Sequence, residues 1–402
     1  MDTMRHSGEA RLLDELKQLE AAGNLRQLST VRSEGLYLVR DGQRYLNLSS
    51  NDYLGLEASP YAGVCLADYW DKRFGEATRS PFPHSSPSSR LMTGNCPEYD
   101  VLESELAALY PGREALVLSC GYMVNSGLWP ALTGPGDLIL ADRLAHASIL
   151  AGLQQGSAPF RRFRHNDVAH LEHLLRSAGD AREVWVVVES VYSMDGDRAP
   201  LREILALREK YPFRLCVDEA HAFGVCGPCG AGYCAELGLG GQVDLLVCTF
   251  GKALAGAGAC VICSPTVKRY LINRMRPLIF STALPPCTLQ WDTMVVHEMR
   301  TESLKAEGYP GLDARRAHLA SLVRELSCLT GLKLETQIVP LHAGSNEQAL
   351  AMAESGREAG LWLTAIRHPT VPLGSARLRL SLRAGLTDEH MNSIVDLCNN
   401  FG

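Results

Sequence analysis

The chain has 402 residues, of which 46% are hydrophobic and 21% are charged, a composition typical of a soluble globular protein. Its formal net charge of −6 argues against a nucleic-acid-binding or membrane-binding surface, because such surfaces usually carry an excess of Lys and Arg. No stretch approaches the ~18 apolar residues of a membrane span, and residues 1–20 lack the apolar core of a signal peptide. The odd number of cysteines, 13, indicates reduced thiols, so we expect a cytoplasmic protein.

The N-terminal residues predict a helix followed by a β-hairpin. Residues 6–22 carry leucines spaced between charged residues, which is the pattern of a short amphipathic helix. Residues 36–48 alternate apolar and polar side chains around Asp41-Gly42, a dipeptide that favours a tight hairpin turn. We treat residues 1–56 as an N-terminal segment that precedes the first domain.

The middle of the chain alternates strand and helix patterns. Strands are predicted at 115–118, 138–141, 184–189, 214–218, 244–249 and 259–263, with helices near 122–132, 145–155, 167–177 and 200–210. Continuous apolar runs such as 184–188 are typical of strands that are covered on both faces. Residues 57–295 therefore predict a large α/β domain with a mostly parallel sheet covered by helices. Residues 296–402 carry helix and strand patterns in a looser order, which predicts a smaller α+β domain.

Polar residues follow several of these strands. They are Ser119-Cys120-Gly121-Tyr122, His146, Glu189 with Ser193, Asp218 with His221, and Thr249 with Lys252. In open α/β sheets, ligands bind at the carboxyl ends of the strands, and free N–H groups at a helix start bind phosphate. The glycine fingerprints of dinucleotide-binding and P-loop proteins are absent from the sequence. A phosphate cradle, a carboxylate, two imidazoles and a lysine together match what pyridoxal 5'-phosphate (PLP) needs.

Each of these features also has a simpler interpretation. Lys252, in the segment TFGKA, could be an ordinary lysine at a strand end, whereas a buried lysine with a lowered pKa suits Schiff-base formation or proton transfer. The pair Cys226 and Cys229 has the spacing of a thioredoxin redox motif, but it lies in a glycine-rich loop. His165, His170 and His173 resemble a metal cluster, but we interpret them as a polar segment and a surface helix, with no metal bound.

Several segments in order resemble the α-oxoamine synthases, which are PLP-dependent transferases of fold type I. The segments are SNDYLGL (50–56), SRLMTGN (89–95), ADRLAHASIL (141–150), HND (165–167), ESVYSMDGD (189–197), VDEAH (217–221), TFGKA (249–253), TAIRHPTVP (364–372) and ARLRLSL (376–382). Within the family, HND and TAIRHPTVP are most similar to the member that condenses L-alanine with a pimeloyl thioester in biotin biosynthesis. Members that use glycine or serine, and a non-catalytic partner subunit on the same fold, remain alternatives.

The resemblance implies a role for each candidate residue. Lys252 would form the Schiff base and move the α-proton, Asp218 would face the pyridine nitrogen, and His146 would stack on the ring. The remaining implied cofactor contacts are Gly121, Tyr122, Ser193, His221 and Thr249, of which His221 also counts as catalytic. The implied substrate contacts are Arg26, Asn51, His146, Arg367, Thr370 and Arg379.

The resemblance also implies partners. Thr282 matches a position that reaches the phosphate of the partner subunit, so a homodimer with shared active sites is expected. The thioester could be carried by coenzyme A or by an acyl carrier protein. Residues 79–87 are longer and richer in proline than the family pattern, and this loop lies close to the substrate in relatives, which leaves the acyl-chain preference open.

Overall fold

A computed structural model describes residues 2–57, 85–303 and 310–401. Most of the proline-rich segment 79–87 lies outside the described residues. The chain divides into a smaller unit, Met1–Ser50 with Met194–Gly196 and Ser321–Gly402, and a larger unit, Asn51–Ser193 with Asp197–Ala320. The three-part division at residues 56 and 295 stays a prediction.

Strands and helices follow one another along most of the described chain. The strands are β1 (Arg32–Glu34), β2 (Tyr37–Arg40), β3 (Gln43–Asn47), β4 (Glu114–Leu118), β5 (Leu138–Asp142), β6 (Phe160–Phe163), β7 (Val184–Glu189), β8 (Arg214–Asp218), β9 (Leu245–Thr249), β10 (Ala259–Cys263), β11 (Ile338–Gly344), β12 (Leu361–Trp362), β13 (Ala365–Ile366) and β14 (Ala376–Ser381). The helices are α1 (Asp2–Ala21), α2 (Pro97–Ala108), α3 (Gly121–Leu132), α4 (Ala147–Gln155), α5 (Val168–Arg176), α6 (Leu201–Ala206), α7 (Tyr233–Glu236), α8 (Pro265–Arg274), α9 (Arg276–Phe280), α10 (Pro286–Thr301), α11 (Leu312–Thr330), α12 (Asn346–Glu358) and α13 (Asp388–Phe401).

The larger unit is built on a sheet with the strand order β4-β10-β9-β8-β7-β5-β6 among its described residues. The pairs β6–β5, β5–β7, β7–β8 and β8–β9 are parallel, and β10 runs antiparallel to both of its neighbours. The predicted α/β fold with a mostly parallel sheet is therefore confirmed. Every predicted strand is present with its ends within one residue, and β6 is an additional strand that the sequence analysis did not identify.

Helices α3 and α4 pack against this sheet through a continuous apolar core. Trp129 of α3 and Trp185 of β7 are fully buried, and their rings meet edge to face at a centroid distance of 5.7 Å. Such an aromatic pair contributes about 0.5–1.5 kcal/mol beyond the burial of its area. Every residue of β7 is buried, as expected for a strand covered on both faces, and this includes the acidic residue Glu189 at its end.

The smaller unit contains two sheets among its described residues, with the strand orders β1-β2-β3-β12 and β11-β14-β13. The predicted hairpin is present, and its turn places both Asp41 and Gly42 at positive φ, 52° and 78°. Helix α1 confirms the helix predicted at 6–22, but its leucines 12, 13 and 16 are each about half exposed. No described helix is long and apolar enough to span a bilayer.

Candidate active site

Asp218 is held rigidly at the end of β8. The residue is 4% exposed, its Oδ2 accepts a hydrogen bond from Asn125 Nδ2 at 2.7 Å, and its Oδ1 accepts one from the Ala220 N–H at 2.9 Å. N–H donors on both oxygens therefore fix the orientation of the carboxyl group. Asn125, on α3, was not identified from the sequence, because it lies 93 residues from its partner.

His146 is linked to Asp218 through a chain of hydrogen bonds. Its Nδ1 pairs with Ser148 Oγ at 2.8 Å, and this hydroxyl accepts from Asn125 Nδ2 at 3.0 Å. Burial lowers the pKa of His146, the Asp218 carboxylate opposes this effect, and the positive charge of Lys252 adds to it. The net effect is a lowered pKa, so the imidazole is neutral near neutral pH.

Lys252 follows β9 by three residues. It lies close enough for its positive charge to lower the pKa values of His146 and Glu189. The lysine is half-buried, which lies between the two interpretations that the sequence left open, an ordinary strand-end lysine and a buried one. The loop after it is tight, with Ala255 at positive φ of 48°. A lysine, a fixed carboxylate and a neutral imidazole therefore follow β9, β8 and β5 at one edge of the sheet, which fits the Schiff-base, ring-nitrogen and ring-face requirements of PLP.

His221 and Asn51 are connected by a tyrosine. The Tyr53 hydroxyl pairs with His221 Nδ1 at 2.7 Å and donates to Asn51 Oδ1 at 3.1 Å. Tyr53 is fully buried, so this link fixes two candidate residues that come from distant parts of the sequence. Tyr53 lies within the segment SNDYLGL, but nothing in the sequence alone indicated that it links these two residues.

The start of α3 forms a narrow cradle beside the end of β9. A Cβ atom on Gly121 would lie 2.6 Å from Thr249 Cγ2, so only glycine fits here without displacement. The free N–H groups at this helix start suit a phosphate group.

Tyr122 is 53% exposed, and the Thr282 carbonyl accepts a hydrogen bond from Ser119 Oγ at 3.2 Å. The half-buried Ser193 follows β7 by four residues.

Replacing Gly121 with alanine is expected to weaken PLP binding by roughly 10-fold or more, since overpacking costs about 1–3 kcal/mol. The added methyl group meets the Thr249 methyl group. The double variant Gly121→Ala/Thr249→Ser removes that methyl group, keeps the hydroxyl, and should recover most of the affinity. Titration of each variant with PLP checks this, and a double variant as weak as the single one would contradict the steric explanation.

The predicted substrate residues of the smaller unit form a basic group. Arg26 donates to Thr370 Oγ1 at 3.0 Å, and Arg367 donates to the carbonyl of Gly23. Burial and the positive charge of Arg26 both lower the pKa of Arg367. Two neighbouring guanidinium groups, both positively charged, favour the binding of an anion. Arg379, on β14, is buried, and its Nη1 donates to Ser381 Oγ at 3.1 Å.

The HND segment forms a structural ion-pair cluster. His165 Nδ1 lies 2.9 Å from Asp142 Oδ1, and Nε2 lies 2.7 Å from Asp197 Oδ2. Burial alone would lower the pKa of His165, but the hydrogen bonds to the two aspartates outweigh burial and raise it to about 10. Across the described ranges, no group of three His, Cys, Asp or Glu side chains is arranged to hold a metal ion.

The raised pKa of His165 predicts a pH-dependent stability. Its contribution is fully present below the unfolded pKa of 6.5 and is lost as the pH rises towards 10, with a slope of at most about 1.4 kcal/mol per pH unit. Urea unfolding should therefore show that the stability difference between the wild type and His165→Gln shrinks from pH 6 to pH 10. The exposed His173, changed to Gln, is the matched control and should show no such trend.

The cysteine pair of the CGPC segment lacks the properties of a redox motif. Cys226 is buried, and burial raises the pKa of its thiol to about 12, whereas thioredoxin-type chemistry needs a lowered pKa. Cys229 lies at positive φ of 55° in a one-turn 3₁₀ helix and not at the start of an α-helix. The redox alternative is therefore not supported.

The model of the class I and II aminotransferases matches residues 43–397. An 8-amino-7-oxononanoate synthase of Chlorobaculum parvum is 44% identical over 96% of this chain and 97% of its own length. A putative 8-amino-7-oxononanoate synthase of Pasteurella multocida is 41% identical, covering 92% and 94%.

Solved structures give the same picture of the fold. A serine palmitoyltransferase from S. paucimobilis with bound PLP–myriocin matches with a TM-score of 0.84 at 28% identity, covering 98% of each chain. The serine palmitoyltransferase of Sphingomonas wittichii matches with a TM-score of 0.84 at 29% identity, covering 98% of this chain and 96% of the other. An 8-amino-7-oxononanoate synthase from Francisella tularensis, at 24% identity, shares the fold with a TM-score of 0.67, covering 89% and 97%.

Proposed function

The chain belongs to the 8-amino-7-oxononanoate synthases of the class I and II aminotransferase family, and we propose that it condenses L-alanine with a pimeloyl thioester in biotin biosynthesis. The expected PLP dependence, acyl transfer and family membership are confirmed by these relatives. The observation that carries the proposal is the hydrogen-bonded chain from His146 through Ser148 and Asn125 to Asp218, next to Lys252.

Bound PLP supplies an electron-accepting ring that stabilises negative charge at the α-carbon of the amino acid. Lys252 would hold the cofactor through Nζ and would remove the α-proton of alanine. The Asp218 carboxylate would lie at the ring nitrogen, where its negative charge would favour the protonated ring and so increase the electron demand of the ring. The neutral His146 ring would cover one face. Gly121, Tyr122 and Thr249 would hold the phosphate, and His221 and Ser193 would hold the ring and its 3-oxygen.

One carbon–carbon bond forms in the reaction, a C–S bond and a carbon–carbon bond break, and the α C–H bond is broken and later replaced. The α-carbon of alanine forms a bond to the thioester carbonyl carbon, and the C–S bond breaks to release the thiol. The bond to the alanine carboxyl group then breaks, CO2 leaves, and Lys252 or a nearby acid returns a proton to the α-carbon.

Charged side chains select the substrates in this proposal. Arg379 takes the alanine carboxylate, since a guanidinium can bind a carboxylate through two hydrogen bonds. Arg26, Arg367 and Thr370 take the free carboxylate at the far end of the pimeloyl group. The support is the pair of neighbouring guanidinium groups and the Arg26–Thr370 hydrogen bond.

Replacing Arg26 with glutamine should raise the KM for the pimeloyl thioester by about 10- to 100-fold, because hydrogen bonds to charged groups contribute about 1.5–3 kcal/mol. The KM for alanine should stay unchanged. Arg32→Gln is the control, because Arg32 is also an exposed arginine of the smaller unit, paired with Glu34. With a heptanoyl thioester, which lacks the free carboxylate, the wild type and Arg26→Gln should behave alike. A difference there would contradict the assignment.

The expected assembly rests on the resemblance alone. The enzyme is a homodimer in which Thr282 reaches the phosphate of the partner's cofactor, and light scattering tests the dimer. The thioester is carried by coenzyme A or by an acyl carrier protein, and the rates with the two forms distinguish them. The cytoplasmic location stays a prediction that rests on the cysteine content.

The proposed function is tested by following thiol release with alanine, glycine and serine in turn. We expect release from pimeloyl-CoA with L-alanine at a rate at least about 10-fold above that with the other two amino acids. A preference for glycine or serine would keep the family and overturn the substrate. No release with any of the three, in PLP-loaded protein, would favour the non-catalytic subunit, although Lys252, Asp218 and His146 argue against it.

A further inference from the structure

Two carboxyl groups lie side by side in the site, and only one has an assigned role. Glu189 ends β7 and Asp218 ends β8, and the two residues are direct partners in the parallel register. Both are almost fully buried, at 2% and 4% exposure. Two carboxylates this close in a dry environment repel each other, so the pair favours a single negative charge.

The hydrogen bonds decide which residue carries the charge. Asp218 accepts from N–H donors on both oxygens, from Asn125 and from Ala220. Glu189 accepts one bond, from the backbone N–H of His146, and its Oε1 has no hydrogen-bond partner among the described residues. An unpartnered buried oxygen is costly on a charged group and much less so on a neutral one.

We infer that the pair holds one proton and one negative charge, with the charge on Asp218 and the proton on Glu189, and that Glu189 is a positioning residue that fixes the backbone of His146. Its effect on catalysis rests on the proposed function, but its protonation does not. The groups that surround Glu189 electrostatically are Asp218, Lys252, Asp142 and the His146 segment. Burial, followed by the Asp218 charge, raises the pKa of Glu189, and the Lys252 charge only partly opposes this.

The protonation state of Glu189 matters because its hydrogen-bond partner, His146, occupies a special position. The residue is the N-cap of α4, so its backbone orientation sets both the helix start and the direction of the imidazole. A neutral carboxyl can accept the His146 N–H without adding a second negative charge beside Asp218. An ionised Glu189 would compete with Asp218 for the positive charges of the cofactor ring and of Lys252.

The first experiment measures protonation without any catalysis. Urea unfolding of the full-length chain, after removal of PLP, compares the wild type with Glu189→Gln at several pH values between about 6 and 8. If Glu189 keeps its proton in the native state, it must release that proton on unfolding. The ratio of the unfolding equilibrium constants, wild type over variant, should therefore rise about 10-fold for each unit by which the pH increases. A ratio that does not change with pH would overturn the inference.

The second experiment measures the positioning role in the holoenzyme. Glu189→Gln, which keeps an acceptor for the His146 N–H, should stay within about threefold of the wild type in PLP affinity and in kcat/KM, with the same pH profile. Glu189→Ala, which removes that acceptor, should lose about 10-fold or more of kcat/KM. If Glu189→Gln loses as much as Glu189→Ala, an ionised Glu189 is required and the inference is wrong. If all forms lack activity while the urea ratio rises as expected, the proposed function fails and the protonation stands.

Discussion

Replacing Lys252 with alanine should lower kcat by about a thousandfold or more while leaving the fold intact. The lysine amine makes the covalent link to PLP and moves the α-proton, and proton transfer by a positioned side chain is alone worth about 100- to 10,000-fold. The side chain is half-buried at the end of a strand, so its removal leaves no large cavity. Folding should therefore survive, and circular dichroism and thermal unfolding check that it does.

Borohydride reduction followed by mass spectrometry measures the covalent link directly. The wild type should gain one reduced PLP on the peptide that contains Lys252, and Lys252→Ala should gain none. Lys210→Ala is the control, because that lysine is mostly exposed and paired with Glu172. A Lys252→Ala protein that still gains one reduced PLP, or that keeps a tenth of the activity, would show that another amine binds PLP and transfers the proton.

Replacing Asp218 with asparagine should lower kcat by about 100- to 1,000-fold, the range for loss of one preorganised electrostatic group. The amide has nearly the same shape as the carboxyl group, so packing is preserved. It cannot stabilise a positive charge on the ring nitrogen, and its NH2 group would face the NH2 of Asn125 unless the amide turns.

Steady-state rates and the pH titration of the visible absorption of bound PLP measure this effect. The Asp218→Asn absorption should change at a different pH from that of the wild type, while Glu189→Gln, the same chemical change on the neighbouring residue, should leave it unchanged. Equal effects of the two substitutions would mean that the charge is shared and not carried by Asp218.

Much of the larger unit could be predicted from the sequence because its strands are uniformly apolar. Strand β6 could not be predicted, since its sequence FRRF has two exposed arginines. The strand lies at the edge of the sheet, where it pairs with β5 on one side only. In β14 the alternation of Arg and Leu predicted a strand, but every residue of β14 is buried. The alternation of residue types therefore identifies a strand, but it does not show whether each face of the strand is buried or exposed.

The site could be predicted as far as its residues directly follow strands. Asp218, His146 and Lys252 were found because the carboxyl ends of parallel strands share one sheet edge. Asn125 and Ser148 connect two of them from within helices, and helix sequences give no signal for an inward-facing polar contact. The sequence also could not show which of Glu189 and Asp218 carries the charge, because that depends on donors that only the fold supplies.

Labelled alanine shows the fate of each substrate carbon and so tests the decarboxylative condensation itself. The PLP-loaded enzyme is incubated with pimeloyl-CoA and L-alanine labelled with carbon-13 at either the carboxyl or the methyl carbon, and the product is analysed by mass spectrometry. We predict 8-amino-7-oxononanoate that keeps the methyl label and has lost the carboxyl label as CO2, in equal amount to the free coenzyme A. A product that keeps the carboxyl label, or coenzyme A release without a new carbon–carbon bond, would contradict the proposed reaction.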